Sequence, residues 1–155
     1  MQNLIEKFYI AFNDLDAETM VSCYHTDIVF KDPAFGTLQG IQAKNMWRML
    51  CENQKGKNFK VVSTNLECND EKGTAHWEAF YTFSKTGRKV HNCIDAEFIF
   101  KDGKIIQHID HFNIHKWAKQ ALGFKGLLIG NTNFFKTKLQ VQTHQLLSKF
   151  ENRTK

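Results

Sequence analysis

The chain has 155 residues, 42% of them hydrophobic with 14 Phe, 3 Trp and 3 Tyr, which suits one domain with a substantial core and is too little for two. Its formal charge of +5 is spread over separated pairs and a basic tail, with no run of four basic residues and no nucleic-acid-binding motif, which argues against nucleic acid as a partner. No apolar stretch approaches the ~20 residues needed to span a bilayer, and Cys23, Cys51, Cys68 and Cys93, widely spaced behind no signal segment, predict buried thiols in a cytoplasmic protein.

Leu4, Ile5, Phe8, Tyr9 and Phe12 recur at three- and four-residue steps and predict a helix over residues 2–13. A short second helix follows, with Asp16 capping its start and Met20, Val21 and Tyr24 as its buried side. Asp27 to Phe30 reads as a short strand running into the segment Phe30-Lys-Asp-Pro-Ala-Phe-Gly36, where proline pushes Asp32 out of helical geometry and Gly36 closes a bend. Gly36 and Gly40 bracket a turn, and Ile41, Met46, Trp47 and Leu50 mark a third helix ending near Cys51.

Beyond Asn58 the pattern becomes strand-like in Phe59 to Leu66, Thr74 to Phe83, Val90 to Phe100 and Lys104 to Asn113. Turn signals separate these strands, and Asp102-Gly103 is the favoured pair for a two-residue type I′ hairpin, in which both central residues need positive φ. A further helical segment carries Trp117, Ala121 and Leu122 and closes at Gly123, and Phe134 to Phe150 reads as an amphipathic helix packed on its own domain or across a dimer. The class is α+β, with helices gathered on one face of an antiparallel sheet.

With Lys101 opposite Lys104 across that hairpin, an uninterrupted register sets Asp95 opposite Asp110 and Glu97 opposite His108. One face would then carry three carboxylates and an imidazole, framed by Ile99, Ile106 and Phe112, and the other would be apolar through Ile94, Ala96, Phe98, Phe100, Ile105 and Ile109. Opposed like charges destabilise a sheet unless one is protonated or something lies between them. In a partly dry cavity such a pair becomes a neutral acid beside an ionised base, which is acid–base equipment. A metal site at Asp95, Glu97, His108 and Asp110 lacks any recognised ligand motif, so no metal is expected there.

The order of elements and the residues that carry it resemble the SnoaL-like and ketosteroid-isomerase-like branch of the nuclear transport factor 2 superfamily over about residues 2 to 122. The resemblance rests on the first helix, Phe30 to Gly36, Gly40 leading a helix with Trp47, Gly87-Arg-Lys followed by Ile94-Asp95, and Asp102-Gly-Lys-Ile followed by Ile109-Asp-His-Phe-Asn113. It implies a cone, in which a strongly curved antiparallel sheet wraps against three N-terminal helices around an apolar cavity, and commonly a homodimer through the sheet. Residues 1–123 would form this domain and 124–155 a C-terminal amphipathic helical extension.

By the same resemblance Asp32 matches the isomerases' general base and Asp95 the protonated aspartate that donates to the developing oxyanion. Two departures stand out. The isomerases' oxyanion tyrosine falls on Phe8, with Tyr9 one step off the required direction. Asp110 instead resembles the base of SnoaL-type polyketide cyclases and of proteins similar to limonene epoxide hydrolase, whose arginine partner is missing near Trp77-Glu-Ala79. The expected catalytic set is Asp32, Asp95, Asp110 and His108, with Phe30, Trp47, Trp77, Tyr81, Glu97 and Phe112 lining the substrate. The expected chemistry is cofactor-independent proton transfer or hydrolysis on a small, largely apolar molecule. The rival is a noncatalytic ligand-binding or dimerisation module of the same fold.

Overall fold

A computed structural model describes residues 1–153. Three helices open the chain: α1 (Gln2–Asn13), α2 (Ala17–Ser22) and, after a hairpin, α3 (Ile41–Gln54). In α1 the apolar stripe buries Ile5, Phe8, Tyr9 and Phe12. Asp16 caps α2, its carboxylate accepting from the Thr19 backbone N–H at 3.0 Å and from the Thr19 hydroxyl at 2.6 Å. Arg48 grips Glu18 with two nitrogens at 2.6 and 2.9 Å, joining α3 to α2.

The strands are β1 (Tyr24–Asp32), β2 (Gly36–Gln39), β3 (Lys60–Cys68), β4 (Lys72–Phe83), β5 (Arg88–Lys101) and β6 (Lys104–His111). They form one curved sheet in the order β2-β1-β6-β5-β4-β3. Residues 36–39, expected to be a turn, pair back on β1 as a short edge strand, so the Pro33–Phe35 bend is a hairpin connection. The sheet is antiparallel except where β1 lies parallel to β6. That pairing brings together segments far apart in sequence, a contact that local patterning does not reveal.

Asp102 and Gly103 have φ of 52° and 70°, as the two-residue hairpin requires. Lys101 pairs with Lys104 and Phe100 with Ile105, but the next pair is Ile99 with Gln107. Ile106 is an extra residue on β6, a β-bulge, and it overturns the uninterrupted register. Because side chains alternate faces, one inserted residue exchanges the faces of β6 beyond it. His108 and Asp110 therefore turn into the core beside Ala96 and Phe98, whereas Asp95 and Glu97 remain on the outer face.

The chain ends in α4 (Ile114–Leu122), α5 (Phe124–Ile129) and α6 (Asn133–Arg153). Asn113 caps α4 by accepting from Lys116 N–H at 2.9 Å. Helix α6 packs on its own chain. Its Leu147 and Phe150 join the core formed by α1, α3 and the sheet, while Phe135 joins a second cluster with Val90, Trp117, Ala118 and Ala121. Among the described residues, no helix is long and apolar enough to cross a membrane.

Candidate functional site

The bulge leaves a buried polar chain inside the cone. His108 is fully buried and Asp110 is 3% exposed, the only polar or charged residues among the described ones that sink this deep. Asp110 Oδ1 accepts from Trp77 Nε1–H at 3.1 Å and lies 3.0 Å from His108 Nε2. At the other side of the imidazole, Nδ1 is 2.7 Å from the Tyr24 hydroxyl, which accepts from Trp47 Nε1–H, also at 2.7 Å. The donors and acceptors assign the tautomer. If Tyr24 O–H is to find an acceptor it must donate to His108 Nδ1, so the imidazole proton sits on Nε2 and points at Asp110.

Aromatic rings hold this imidazole on several sides. Phe98 lies 4.5 Å away, Phe30 5.3 Å and Phe8 5.5 Å between ring centroids, and Trp47 is stacked at 6.0 Å. Phe30, Trp47 and Trp77, expected to line a substrate cavity, are thus packed core residues, two of them also hydrogen-bond donors into the polar chain. Tyr81 is engaged by Trp117, whose Nε1–H donates to its hydroxyl at 2.8 Å, and Phe112 packs half-buried between the two apolar clusters.

Asp32 ends β1 beside this chain. Its Oδ1 accepts from Phe35 N–H at 2.5 Å, closing the bend that proline begins. The residue keeps some exposed surface, yet its carboxyl is desolvated. Burial, opposed by the Phe35 hydrogen bond and aided by the charge of Asp110, pushes its pKa up to about 7. Asp32 and Asp110 therefore share one electrostatic environment. Above them, α6 crosses the bend: Gln140 Nε2 donates to Pro33 O at 3.2 Å, Thr143 Oγ1 to Ala34 O at 3.0 Å, and His144 Nε2 to Phe35 O at 2.6 Å.

Tyr9 belongs to the buried stripe of α1, as its spacing predicts. It is 2% exposed with its ring 5.6 Å from that of Trp77. Its hydroxyl is buried and has no hydrogen-bond partner among the described residues. Burial raises its pKa well above the ordinary tyrosine value, and the Asp110 charge adds to this. A buried hydroxyl without a partner is costly, and such groups mark places where a ligand or water can bond.

Two expected site residues lie elsewhere. Asp95 is on the outer face, its side chain 80% exposed and Oδ1 2.7 Å from His76 Nδ1. Glu97 is also outside, 3.1 Å from His111. Neither can reach a molecule inside the cone. The signal for the shift was in β6 itself: without the bulge, polar Gln107 would face the core opposite Phe98. Tyr24 was read only as apolar burial, because no spacing rule foretells a bond to a histidine 84 positions away.

The model of the SnoaL-like domain matches residues 5–108, about two thirds of the chain. The chain belongs to the SnoaL-like family. No curated protein matches it. Several solved structures share the fold. An epoxide hydrolase of M. tuberculosis, similar to limonene epoxide hydrolase, aligns with a TM-score of 0.63 at 19% identity, over 81% of this chain and 90% of that one. TerC, co-crystallised with polyporic acid, gives 0.65 at 16% identity over 77% and 96%. A protein of Catenulispora acidiphila with a ketosteroid-isomerase-like fold, in complex with trimethylamine, gives 0.63 at 12% over 76% and 91%. At these identities the likeness establishes the fold. Within this SnoaL-like cone, the arrangement offers a carboxyl titrating near neutrality, a second carboxyl held by two nitrogens, and a spare buried hydroxyl.

Proposed function

We propose that the chain binds a small, largely apolar molecule bearing a carbonyl or similar oxygen inside the cone, and catalyses cofactor-independent proton transfer on it. The observation that supports this reading is a desolvated Asp32 carboxyl within reach of the Asp110 charge, in a fold whose interior also holds the partnerless Tyr9 hydroxyl. A group with pKa of about 7 is populated in both forms near neutral pH, so Asp32 is the proton carrier. Tyr9 supplies a hydrogen bond to the substrate oxygen as negative charge gathers there. Asp110, oriented by His108 and Trp77, positions the substrate, and its charge adds to the burial that raises the Asp32 pKa. Entry requires the bend at Pro33–Phe35, or the α6 segment bonded to it, to move aside.

A second reading, a binding module without catalysis, is favoured by the aromatic filling around His108. One experiment separates the two. A panel of apolar cyclic ketones and diketones is incubated with the protein in deuterated water, and exchange of protons next to the carbonyl is followed by NMR. Catalysis predicts protein-dependent exchange that drops roughly a hundredfold or more in Asp32→Asn. Compounds that raise the melting temperature without exchanging would support the binding module instead. Association into a homodimer through the outer sheet face is a separate proposal, tested by sedimentation equilibrium.

A further inference from the structure

The outer face of the sheet carries a second cluster that the interior chemistry does not use. On β4 and β5, Glu78 is directly paired with Cys93, His76 with Asp95, and Phe80 with His91, so all six side chains share one rigid face. Glu78, His91 and Cys93 offer ligand atoms that all lie within 4.8 Å of one another. Cys93 Sγ is 3.5 Å from His91 Nε2, and Glu78 Oε2 makes a close contact with that same nitrogen.

That shared atom decides between two chemistries. A nucleophile–base–orienter relay needs the thiol and the carboxylate on opposite nitrogens of the imidazole. Here both approach Nε2, and three donor atoms of different residues face one point. Convergence of N, S and O donors is the arrangement of a metal site. Zinc ligands at 2.0–2.3 Å from the ion lie about 3.3–3.8 Å apart on a tetrahedron, which matches the Cys93–His91 separation.

The surroundings are those of an oriented ligand set. Phe80 stacks on the His91 ring at 4.2 Å and 18°, and Gln120 clasps the His91 backbone, its Oε1 accepting from N–H at 2.8 Å and its Nε2 donating to the carbonyl at 3.0 Å. His76 Nδ1, 2.7 Å from Asp95 Oδ1, donates to that carboxylate. Its Nε2 then carries a lone pair, turned toward Glu78 Oε1 at 3.7 Å, too far for a hydrogen bond. A groove of about 680 Å³ lined by Lys60, Phe80, Lys89, His91 and Gln120 leaves His91 open to solvent.

We propose that Glu78, His91 and Cys93 bind a zinc-class divalent ion on the outer face of the sheet, with the fourth position open to solvent. The direct Glu78–His91 bond gives way as the ion enters between them. The site is independent of the interior reading.

The full-length chain is stripped with chelator, loaded with excess zinc, dialysed free of unbound metal and analysed for metal. The expected result is one zinc per chain, with affinity lowered roughly tenfold or more in Cys93→Ser and His91→Ala and unchanged in Cys68→Ser. Cobalt substituted for zinc should show a thiolate charge-transfer band in the near ultraviolet that Cys93→Ser abolishes. Circular dichroism in chelator checks that each variant is folded, and Glu78→Gln carries the same expectation if another variant is not. Substoichiometric zinc, or folded Cys93→Ser and His91→Ala with wild-type affinity, would overturn the proposal and leave an exposed hydrogen-bonded cluster.

Discussion

Two buried tyrosines make opposite predictions. The Tyr24 hydroxyl accepts from Trp47 and donates to His108, so Tyr24→Phe leaves two buried nitrogens without partners and should cost about 2–4 kcal/mol. The Tyr9 hydroxyl bonds to nothing among the described residues, so Tyr9→Phe should be neutral or slightly stabilising. Urea denaturation measures both. If Tyr9 serves the proposed chemistry, the same substitution should abolish carbonyl-adjacent exchange in a protein that is no less stable. Asp32 adds a pH signature. Its folded pKa of about 7 exceeds its ordinary 3.8, so the native state binds the proton more tightly and the stability that Asp32 contributes is greatest at low pH. That contribution falls as pH rises from about 4 to about 7 and is flat above, a change on the order of 2–4 kcal/mol. Denaturation at pH 5 and pH 8 should show the loss in the wild type and not in Asp32→Asn.

At the scale of elements, the C-terminal helices are held by close backbone approach and by hydrogen bonds to one bend. Gly126 of α5 lies against α4 so tightly that a Cβ would meet the Ala118 carbonyl oxygen at 1.9 Å. Gly126→Ala must push α5 away and should destabilise the protein by about 1–3 kcal/mol. Calorimetry would show it as a lowered melting temperature. On α6, Thr143 and His144 donate to Ala34 and Phe35 beside Asp32. The double variant Thr143→Ala/His144→Ala should loosen the helix from the bend, hydrate Asp32 and move its pKa down toward 3.8, readable by NMR titration of the carboxyl. An unchanged titration would show that α6 does not control solvent access to Asp32.

For the molecule as a whole, the pairing of β1 with β6 and the burial of Leu147 and Phe150 beside α1 and α3 tie both ends of the chain to one core. The second cluster, around Trp117, shares Tyr81 and Phe112 with the first. Unfolding should therefore be a single transition, with tryptophan fluorescence and far-ultraviolet circular dichroism giving the same midpoint. Two separate midpoints would mean that the α4–α6 region melts on its own.

Local patterning was enough for most of the fold. The stripe of α1, the cap at Asp16, the Asp102-Gly103 hairpin and the long strands follow from periodicity and turn chemistry, which act over a few residues. The SnoaL-like character was legible in the order of these pieces. The site was only half legible. Asp32 stood out because proline and glycine enforce a bend beside it, but the register assigned Asp95 to the wrong face for the interior role, and helical spacing, which put Tyr9 in the core, said nothing of its unpartnered hydroxyl. One extra residue at Ile106 decided which carboxyls face the interior, since strand alternation carries a single-residue bulge into every position beyond it. The sequence by itself therefore determined most of the elements, their order and the family, but not the edge strand β2 or the short helix α5. Only the tertiary structure decided which charged groups meet, because that depends on a bulge, a parallel pairing and a returning helix whose energies come from contacts between distant segments.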